Sequence, residues 1–371
     1  MLPQDHKPYI DKYFLRSKEI LQKHLFNPKV KLQVFMRKGN CQVYGIYEAI
    51  SIIKNYAPSA KIWALKDGDY IQPCETIMII EAPIQDIIDL ETMYLGVISS
   101  ETSIRIDNKD IDLEEIRLNM EAVTKLANPR PVMYMGARHW HYLRDAEISK
   151  ACFDGGAHAC STDIGAATVG KEGAGTIPHA LEAIFHWRAV DIGNKLKNIK
   201  NNMITNAVLD ATAAFDRFID PAVPRIALVD YSNREILDSL LCAQNIESLW
   251  GIRIDTCGEN FMEGIMPKIT KGTSNSRGVS LKGVYLLRKI LNDSGYEHIK
   301  IVLSSGFANP DKVRNFVEAE KELNMKLFDM LGVGQVFYSR VTTGDIVEVE
   351  GVPIHKVGRP FKCNPKLTEI C

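Results

Sequence analysis

The pattern of apolar and polar residues divides the chain into a mixed first part, a repetitive middle and a tail. In the first part, Lys61–Ala64 and Thr76–Ile80 are short apolar segments separated by an Asp-Gly-Asp turn at 67–69, which predicts short strands of a mixed α/β unit. After Asp112, apolar residues recur every three to four positions, the spacing of one helical face. Asp112 and Glu115 match a capping box. We therefore expect a helix that begins after Asp112.

The middle of the chain repeats a short apolar segment, a polar glycine-rich loop and a helical segment. Short, continuously apolar strands are typical of a parallel sheet that is buried on both faces. About seven repeats predict a sheet that is closed, or nearly closed, into an α/β barrel. The predicted strands are Pro131–Met135, Ala157–Cys160, Gly175–Ile177, Arg225–Val229, Leu249–Ile254, Ile299–Leu303 and Leu327–Leu331. Asn309 and Pro310 form a good N-cap and first residue for the helix that follows the sixth strand.

The tail returns to alternating residues. Ile346–Val352 alternates and turns at Glu350-Gly351, which predicts an antiparallel hairpin. Because such a hairpin does not fit a parallel barrel, we expect the tail to pack on the first part of the chain. The predicted domains are an N-terminal α/β domain over residues 1–112, a barrel over 113–336, and a segment over 337–371 that returns to the N-terminal domain and makes it discontinuous.

Charge and composition narrow the classes of function. The 371 residues include 45 Lys and Arg and 46 Asp and Glu, a formal net charge of -1. This balance argues against a nucleic-acid binder, which needs an excess of positive charge. It leaves room for a local basic pocket. The first 16 residues contain no apolar segment of a signal peptide, and no apolar run is long enough to cross a bilayer. We therefore expect a cytoplasmic protein without membrane contact.

The eight cysteines are scattered and form no C-x-x-C pair. Without an export signal, we expect them to be reduced thiols. Cys363 and Cys371, with His355 upstream, have some of the residue types of a metal knuckle. Their spacing departs from that of standard zinc motifs, so we expect no structural zinc.

Charged and small residues collect directly after the predicted strands, where barrel enzymes have their active sites. Arginine and histidine could bind phosphate or carboxylate, and aspartate could bind Mg²⁺ or sugar hydroxyls. Turns of small residues let backbone N–H groups approach a phosphate. The combination suits a phosphorylated sugar that carries a diphosphate. The residues are Arg138, His139, Asp163, His179, Asp230, Arg253, Asp255, Ser304–Gly306 and Gly332–Gly334.

Each of these residues also has a structural explanation when it is taken singly. Asp163 and Asp230 could cap helices. Arg253 and Asp255 lie two apart on one strand, so they could form a structural ion pair. A lone His179 is more often structural than catalytic. The functional interpretation depends on the coincidence of all seven strand ends.

In the order and spacing of its motifs, the chain resembles the nicotinate phosphoribosyltransferase family, and especially its shorter archaeal-type members. The most specific match is Gly175–Leu181. The other matching segments are Asp11–Ser17, Trp63–Pro83, Gly136–Arg138, Asp230, Arg253–Thr256, Ser304–Gly306 and Leu331–Gly334. The resemblance implies a type II phosphoribosyltransferase fold, with an irregular, incomplete α/β barrel and a discontinuous α/β sandwich domain. It also implies a homodimer in which the small domain of one subunit reaches the barrel mouth of the other.

The activity that the resemblance implies is phosphoribosyl transfer in NAD salvage. Nicotinate and 5-phosphoribosyl 1-diphosphate would give nicotinate mononucleotide and diphosphate, with Mg²⁺ and, in ATP-coupled members, with ATP as a further substrate. The pyridine nitrogen is already a nucleophile, so no general base is needed. Preorganised charge, Mg²⁺ on the leaving group and alignment of the two reactants would supply the catalysis.

The resemblance also implies roles for individual residues. Tyr13 would border the pyridine ring from the partner subunit, and Arg138 would hold the substrate near the ring and its carboxylate. His179 matches the histidine that is phosphorylated in ATP-coupled members. Arg253 and Asp255 would face the phosphoribosyl group and its Mg²⁺-bound diphosphate. The residues expected to bind the 5-phosphate are Ser305, Gly306, Gly332 and Gly334.

Two departures from the family leave the substrate open. His139 stands where members often have a second arginine, and a histidine would give a weaker, pH-dependent grip on a carboxylate. Asp163 could accept a hydrogen bond from an amide and would repel a carboxylate. Nicotinamide is therefore the first alternative substrate. Quinolinate follows it, although we find no dense Arg-Lys cluster for two carboxylates. Divergent strand ends also allow a non-catalytic, ligand-binding homologue.

Overall fold

Two six-stranded sheets, one antiparallel and one parallel, organise the chain. The computed structural model describes residues 2–195, 206–266 and 276–370. Its strands are β1 (Lys29–Met36), β2 (Cys41–Gln42), β3 (Lys61–Ala64), β4 (Tyr70–Ile71), β5 (Thr76–Pro83), β6 (Val132–Tyr134), β7 (Ala159–Cys160), β8 (Arg225–Leu228), β9 (Leu249–Ile254), β10 (Lys300–Leu303), β11 (Met330–Val333), β12 (Thr342–Val349), β13 (Val352–Pro353) and β14 (Thr368–Ile370).

Helices cover both sheets. The α-helices are α1 (Lys12–Lys23), α2 (Ile46–Tyr56), α3 (Ile84–Ile87), α4 (Glu91–Asp107), α5 (Leu113–Ala127), α6 (Asp145–Asp154), α7 (Asp163–Ala167), α8 (His179–Lys195), α9 (Ala207–Phe218), α10 (Glu235–Asn245), α11 (Leu281–Asp293) and α12 (Pro310–Leu323). Short 3-10 helices span Lys7–Tyr9, Ala137–His139 and Tyr142–Arg144. No helix in the described ranges is long and apolar enough to cross a membrane.

The antiparallel sheet combines strands from both ends of the sequence, in the order β13-β12-β1-β5-β3-β14. β12 pairs with β1 from Val30–Val349 to Met36–Thr342, and β14 pairs with β3. The predicted hairpin is confirmed, because β12 turns at 350–351 and pairs antiparallel with β13. The tail strands therefore belong to the same sheet as the N-terminal strands.

The parallel sheet has the order β7-β6-β11-β10-β9-β8 and forms an incomplete, curled half-barrel. The prediction of a strand at Gly175–Ile177 is wrong, since these residues lie in the loop between α7 and α8. A Cβ atom on Gly175 would lie 2.9 Å from the backbone nitrogen of Tyr13. The segment is thus packed against α1 and not against a neighbouring strand. The prediction of an irregular, incomplete α/β barrel with a second α/β layer is confirmed.

The predicted helix starts are also confirmed. The Asp112 side chain accepts hydrogen bonds from the backbone N–H groups of Glu114 and Glu115, at 2.9 and 3.1 Å, and caps α5. The Asn309 side chain accepts one from the N–H of Asp311 at 2.9 Å and caps α12. These side chains pair backbone donors that a helix end leaves unpaired.

Helix α4 links the two sheets. It packs against β12 on one side and against the 3-10 helix Ala137–His139 that follows β6 on the other. Its side chains from Thr92 to Ser100 are buried. The close approach needs a glycine, because a Cβ atom on Gly96 would lie 2.2 Å from the carbonyl oxygen of Trp140. The first residue of α4, Glu91, consequently lies where the two sheets meet.

Candidate active site

A pocket of about 300 Å³ lies between the carboxyl ends of the parallel strands and the antiparallel sheet. One side, which we call the barrel wall, consists of Arg138, His139, His179, Arg253, Asp255, Ser304–Gly306, Gly332 and Gly334. The opposite side, the sheet wall, consists of Arg37, Glu91, Thr343–Ile346, Lys356 and Arg359. Tyr13 and Phe14 of α1 also line the pocket. The structure thus brings most of the predicted site residues together.

Arg253, Asp255 and Ser304 form one hydrogen-bonded group at the ends of β9 and β10. Arg253 Nη2 donates to Asp255 Oδ2 at 3.0 Å, and its Nε donates to Ser304 Oγ at 3.1 Å. Ser304 Oγ in turn lies 2.9 Å from Asp255 Oδ1. Burial opposes ionisation of Asp255, but the charges of Arg253, Lys356 and His179 together lower its pKa. The group therefore presents a fixed cation and a fixed carboxylate side by side.

The turn after β10 has the backbone geometry of an anion site. Ser305 and Gly306 both have positive φ, 65° and 86°, a conformation that is uncommon outside glycine. In the described part of the chain, their N–H groups donate no hydrogen bond. Lys312 Nζ donates to the carbonyl oxygen of Ser305 at 2.9 Å, and burial lowers the pKa of Lys312 to about 8. Free N–H groups beside a cation suit a phosphate.

Gly332, within β11, and Gly334, directly after it, bring the backbone close to its neighbours. A Cβ atom on Gly334 would lie 2.8 Å from Cε1 of His139, and one on Gly332 would lie 2.7 Å from Sδ of Met135. Gly136, after β6, approaches the carbonyl oxygen of Gly334 just as closely, at 2.4 Å for its added Cβ. Small residues are therefore required here by packing, whether or not a ligand binds.

His179, Asp230 and Lys356 form a second charged group. His179 Nε2 lies 3.0 Å from Asp230 Oδ1 and 3.0 Å from Lys356 Nζ, and Lys356 also pairs with Asp230 Oδ2. Burial opposes ionisation of Asp230, but Lys356 and His179 hold its pKa well below the usual range. Burial and Lys356 lower the pKa of His179. The imidazole is thus neutral at pH 7, next to an ionised pair.

Both carboxylate oxygens of Asp230 are engaged in this group, and the side chain is buried. The sequence assigned Asp230 to substrate binding. The structure instead places it behind His179 and Lys356, where it orients both of them.

Tyr13 and Arg138 pair with each other within one chain. Arg138 Nη1 donates to the hydroxyl oxygen of Tyr13 and lies 3.8 Å from Asp11 Oδ2. Burial opposes the charge of Arg138, but Tyr13, Asp11 and Glu91 raise its pKa. The prediction that Tyr13 reaches the site from a partner subunit differs from this arrangement. Because α1 packs on the chain's own barrel, Tyr13 contacts the chain's own Arg138.

His139 differs from its predicted role as a pH-dependent cation. Its side chain lines the pocket, but Nδ1 is buried and has no hydrogen-bond partner among the described residues. Burial, together with the neighbouring charge of Arg138, lowers the pKa of His139 to about 3. The imidazole is therefore neutral over the physiological pH range. It cannot replace an arginine as the counter-charge of a carboxylate.

Asp163 lies outside the pocket. Its carboxylate accepts hydrogen bonds from Lys12 Nζ at 2.9 and 2.8 Å and from the backbone N–H of Gly173 at 2.9 Å. It is the first residue of α7, and Thr162 caps that helix. The prediction that Asp163 contacts the substrate's carboxylate or amide is not supported by this position. The residue ties α1 to the loop after α7.

Sequence reasoning missed the sheet wall. Lys356 and Arg359 follow β13, and Arg37 follows β1, so none of them ends a barrel strand. Glu91 and Asp345 lie on α4 and β12, and neither segment contained a predicted site residue. The only available signal was a Lys and an Arg in a glycine- and proline-containing stretch after a hairpin. Cys371, one of the two tail cysteines considered for a metal knuckle, lies outside the described residues.

Comparison with known proteins agrees with this architecture. Residues 11–102 match the family model of the quinolinate phosphoribosyl transferase N-terminal domain. No curated protein sequence matches the chain.

Solved structures resemble the chain over nearly its whole length. A putative nicotinate phosphoribosyltransferase from Saccharomyces cerevisiae is 14% identical, with a TM-score of 0.65 over 96% of this chain and 94% of that one. A nicotinate phosphoribosyltransferase from Vibrio cholerae is 13% identical, with a TM-score of 0.63 over 94% and 87%. A nicotinate-nucleotide pyrophosphorylase from Pyrococcus furiosus is 26% identical over 97% and 80%, with a TM-score of 0.42. At these identities, the first two structures establish the fold: the chain has the type II phosphoribosyltransferase fold.

Proposed function

We propose that this chain transfers the phosphoribosyl group of 5-phosphoribosyl 1-diphosphate to the ring nitrogen of nicotinate, a step of NAD salvage. The observation that carries the proposal is the convergence of Arg138, Arg253 and Lys356 on one pocket that also contains a backbone anion site. These three cations and the anion site together fit a substrate that carries a phosphate at one end and a diphosphate at the other. The fold it shares with nicotinate phosphoribosyltransferases supports the same reaction class.

The reaction needs little covalent chemistry from the protein. The lone pair of the pyridine nitrogen forms a bond to C1 of the ribose as the bond from C1 to the diphosphate oxygen breaks, and the electron pair of that bond leaves with the diphosphate. The protein's task is to hold both reactants in line and to stabilise the charge that separates. We assign the 5-phosphate to the free N–H groups of Ser305 and Gly306. We assign the diphosphate to Arg253 and Lys356.

Asp255 suits the Mg²⁺ that such a diphosphate carries. The described residues contain no group of three or more histidine, cysteine or carboxylate side chains that could hold a metal. Mg²⁺ in phosphate sites is usually held by one or two carboxylates together with the substrate's oxygens, and Asp255 is one ionised carboxylate on the pocket wall. Bound there, Mg²⁺ would neutralise the leaving diphosphate. Arg253 and Ser304 would hold the carboxylate in place.

His179 is the residue through which coupling to ATP would act. Burial and Lys356 lower the pKa of His179, so the imidazole is neutral, and the contacts of its Nε2 to Asp230 and Lys356 fix its position. A neutral imidazole has the lone pair that a phosphoryl acceptor needs. Coupling predicts release of orthophosphate from ATP in proportion to nicotinate turnover. A His179 that only orients the substrate predicts turnover that ATP does not change.

The test compares diphosphate release with nicotinate, nicotinamide and quinolinate, each with 5-phosphoribosyl 1-diphosphate and Mg²⁺, with and without ATP. We expect release with nicotinate and a product with the mass of nicotinate mononucleotide. Release with nicotinamide alone would move the protein to that activity. Quinolinate, which the N-terminal family match makes the second candidate, would also release carbon dioxide. No release with any pyridine would contradict the proposal.

A further inference from the structure

We infer that Glu91 determines whether the pocket accepts a pyridine carboxylate or a pyridine amide, acting with Arg138 as a second contact to that group. This inference rests on the proposed function, because it names the residue that selects the pyridine. It assigns selectivity to the sheet wall, whereas the sequence suggested His139 and Asp163.

The position of Glu91 makes it available to a ligand. It is the first residue of α4 and lines the same pocket as Arg138 and Tyr13. Its carboxyl group lies over Gly344 of β12, where an added Cβ atom would be 3.4 Å from Glu91 Cδ. Within the described residues, the carboxyl makes no hydrogen bond and no ion pair. Asp163 and Asp230, by contrast, have their oxygens engaged by other protein groups.

The groups around Glu91 come from every neighbouring element. Arg138 faces it from the turn after β6, Asp345 from β12, and Asp11 from the segment before α1. Tyr13 of α1 and Tyr94 of α4 are the neighbouring phenols. Burial raises the pKa of Glu91 to about 8; Arg138 lowers it, while Asp345 and Asp11 raise it. At pH 7 the carboxyl is therefore mostly protonated and can donate a hydrogen bond into the pocket.

The two charge states favour different ligands. A protonated Glu91 donates to one oxygen of a pyridine carboxylate, and Arg138 donates to the same carboxylate. An ionised Glu91 repels a carboxylate, but it accepts from the N–H₂ of a pyridine amide whose carbonyl oxygen accepts from Arg138. Below about pH 8, the pocket is thus matched to nicotinate. Above that pH, selectivity shifts toward nicotinamide.

Equilibrium dialysis of labelled nicotinate and nicotinamide tests the role of Glu91. The affinity for each pyridine is measured from pH 6.5 to 9.5 with Mg²⁺ and diphosphate present. For the wild type, we expect the ratio of nicotinate to nicotinamide affinity to fall by about tenfold per pH unit above the Glu91 pKa, the limit for loss of one proton. Glu91→Gln keeps an N–H donor and an acceptor oxygen without a titrating proton. Its affinity ratio should stay flat across the range. Glu101→Gln, the same substitution on the exposed face of α4 where Glu101 pairs with Arg105, should follow the wild type.

The binding readout separates this inference from the proposed function, which turnover tests. Turnover of a pyridine together with an affinity ratio that is identical in the wild type and Glu91→Gln would overturn the role of Glu91 and leave the reaction standing. Nicotinate binding with the expected pH dependence but no diphosphate release would overturn the reaction and support Glu91. Absence of nicotinate binding at any pH would overturn both. Thermal melting of both variants at pH 7 confirms that they are folded.

Discussion

The two walls of the pocket are built in different ways. The barrel wall follows parallel strands of two to six residues, such as β10 and β9, and its side chains lie where each strand stops. The sheet wall belongs to the long antiparallel sheet, in which β1 and β12 have eight residues each. Its pocket residues lie within β12, directly after β1, at the start of α4 or beyond β13. Residues at the end of a short buried strand can be predicted from the sequence, whereas residues that line a pocket from one face of a long strand cannot.

The walls also differ in how their charges are paired. Arg253 and Asp255 of the barrel wall neutralise each other two residues apart on one strand. Lys356 of the sheet wall reaches across the pocket to Asp230, which follows β8. The Arg253–Asp255 pair is therefore contained within the barrel wall, whereas Lys356 connects the sheet wall to the parallel sheet. Substitution of Asp255 should therefore affect mainly catalysis, whereas substitution of Lys356 should affect both catalysis and stability.

The largest effect is expected for Asp255→Asn on the barrel wall. It removes the ionised partner of Arg253 and the proposed Mg²⁺ ligand, so kcat should fall by roughly 100- to 1,000-fold, as for other preorganised charge contacts. Diphosphate release measures this. Asp293→Asn is the matched control, since Asp293 pairs with Lys289 on an exposed helix face. A fall of less than threefold in Asp255→Asn would remove that residue from the mechanism.

Lys356→Met should affect both catalysis and stability, because the lysine serves the pocket and pairs with a buried carboxylate. Removing one partner of a buried ion pair costs about 3–5 kcal/mol. Because Asp230 keeps its contact to His179, we expect a loss of stability at the low end of this range. We expect kcat to fall by roughly tenfold to 100-fold. Urea unfolding and diphosphate release give the two values.

Two further variants serve as controls for Lys356→Met. Lys362→Met alters an exposed lysine six residues further on and should change neither value. Lys356→Arg keeps the charge and should recover most of the stability. A stability loss with unchanged kcat in Lys356→Met would make the sheet wall purely structural.

The charge state of Glu91 predicts a smaller, pH-dependent effect on stability. Its pKa is about 8 in the folded chain and near 4.5 when exposed, so folding binds a proton between these values. The contribution of Glu91 to stability is therefore lost as pH rises from about 4.5 to about 8. Glu91→Gln lacks this loss. The melting temperature of Glu91→Gln minus that of the wild type should be about 2–4 °C larger at pH 8 than at pH 5. The same difference at both pH values would contradict the raised pKa of Glu91.

The smallest effect is expected for Asp163→Asn, which lies outside both walls. Its ion pair with Lys12 is partly exposed, so the free energy of unfolding should fall by only about 0.5–1 kcal/mol. The kcat/KM values for nicotinate and nicotinamide should remain unchanged. Lys12→Met provides the control, because the two substitutions should be non-additive if they break one pair. A changed preference between the two pyridines would return Asp163 to the substrate site.

The sequence predicted the helix starts, turns and strands that depend on residues close together in the chain. Asp112 and Asn309 cap helices where their side chains predict it, and the turn at Glu350 produces the expected hairpin. Apolar runs between glycine-rich loops predicted the parallel strands. The run at Gly175–Ile177 misled, because it is buried against α1 and an apolar segment does not reveal which surface buries it.

The site was predictable only where the strand-end rule applies. Arg253 and Asp255 follow from that rule, whereas Glu91 and Lys356 depend on how the tail and α4 pack across the barrel mouth. The positions of His139 and Asp163 differ from those that their predicted roles require, for a related reason. Burial determines the charge of His139, and the pair with Lys12 holds Asp163 away from the pocket; neither can be read from residue type.

The interleaved order of the antiparallel sheet has a consequence for biosynthesis. β1 lies between β5, which is translated soon after it, and β12, which follows the whole barrel sequence. Until residues 342–349 leave the ribosome, one edge of β1 has no native partner, and open strand edges invite pairing with other chains. That edge therefore stays open while the barrel segment is synthesised. A chain that stops before β12 would contain the barrel wall but no complete pocket.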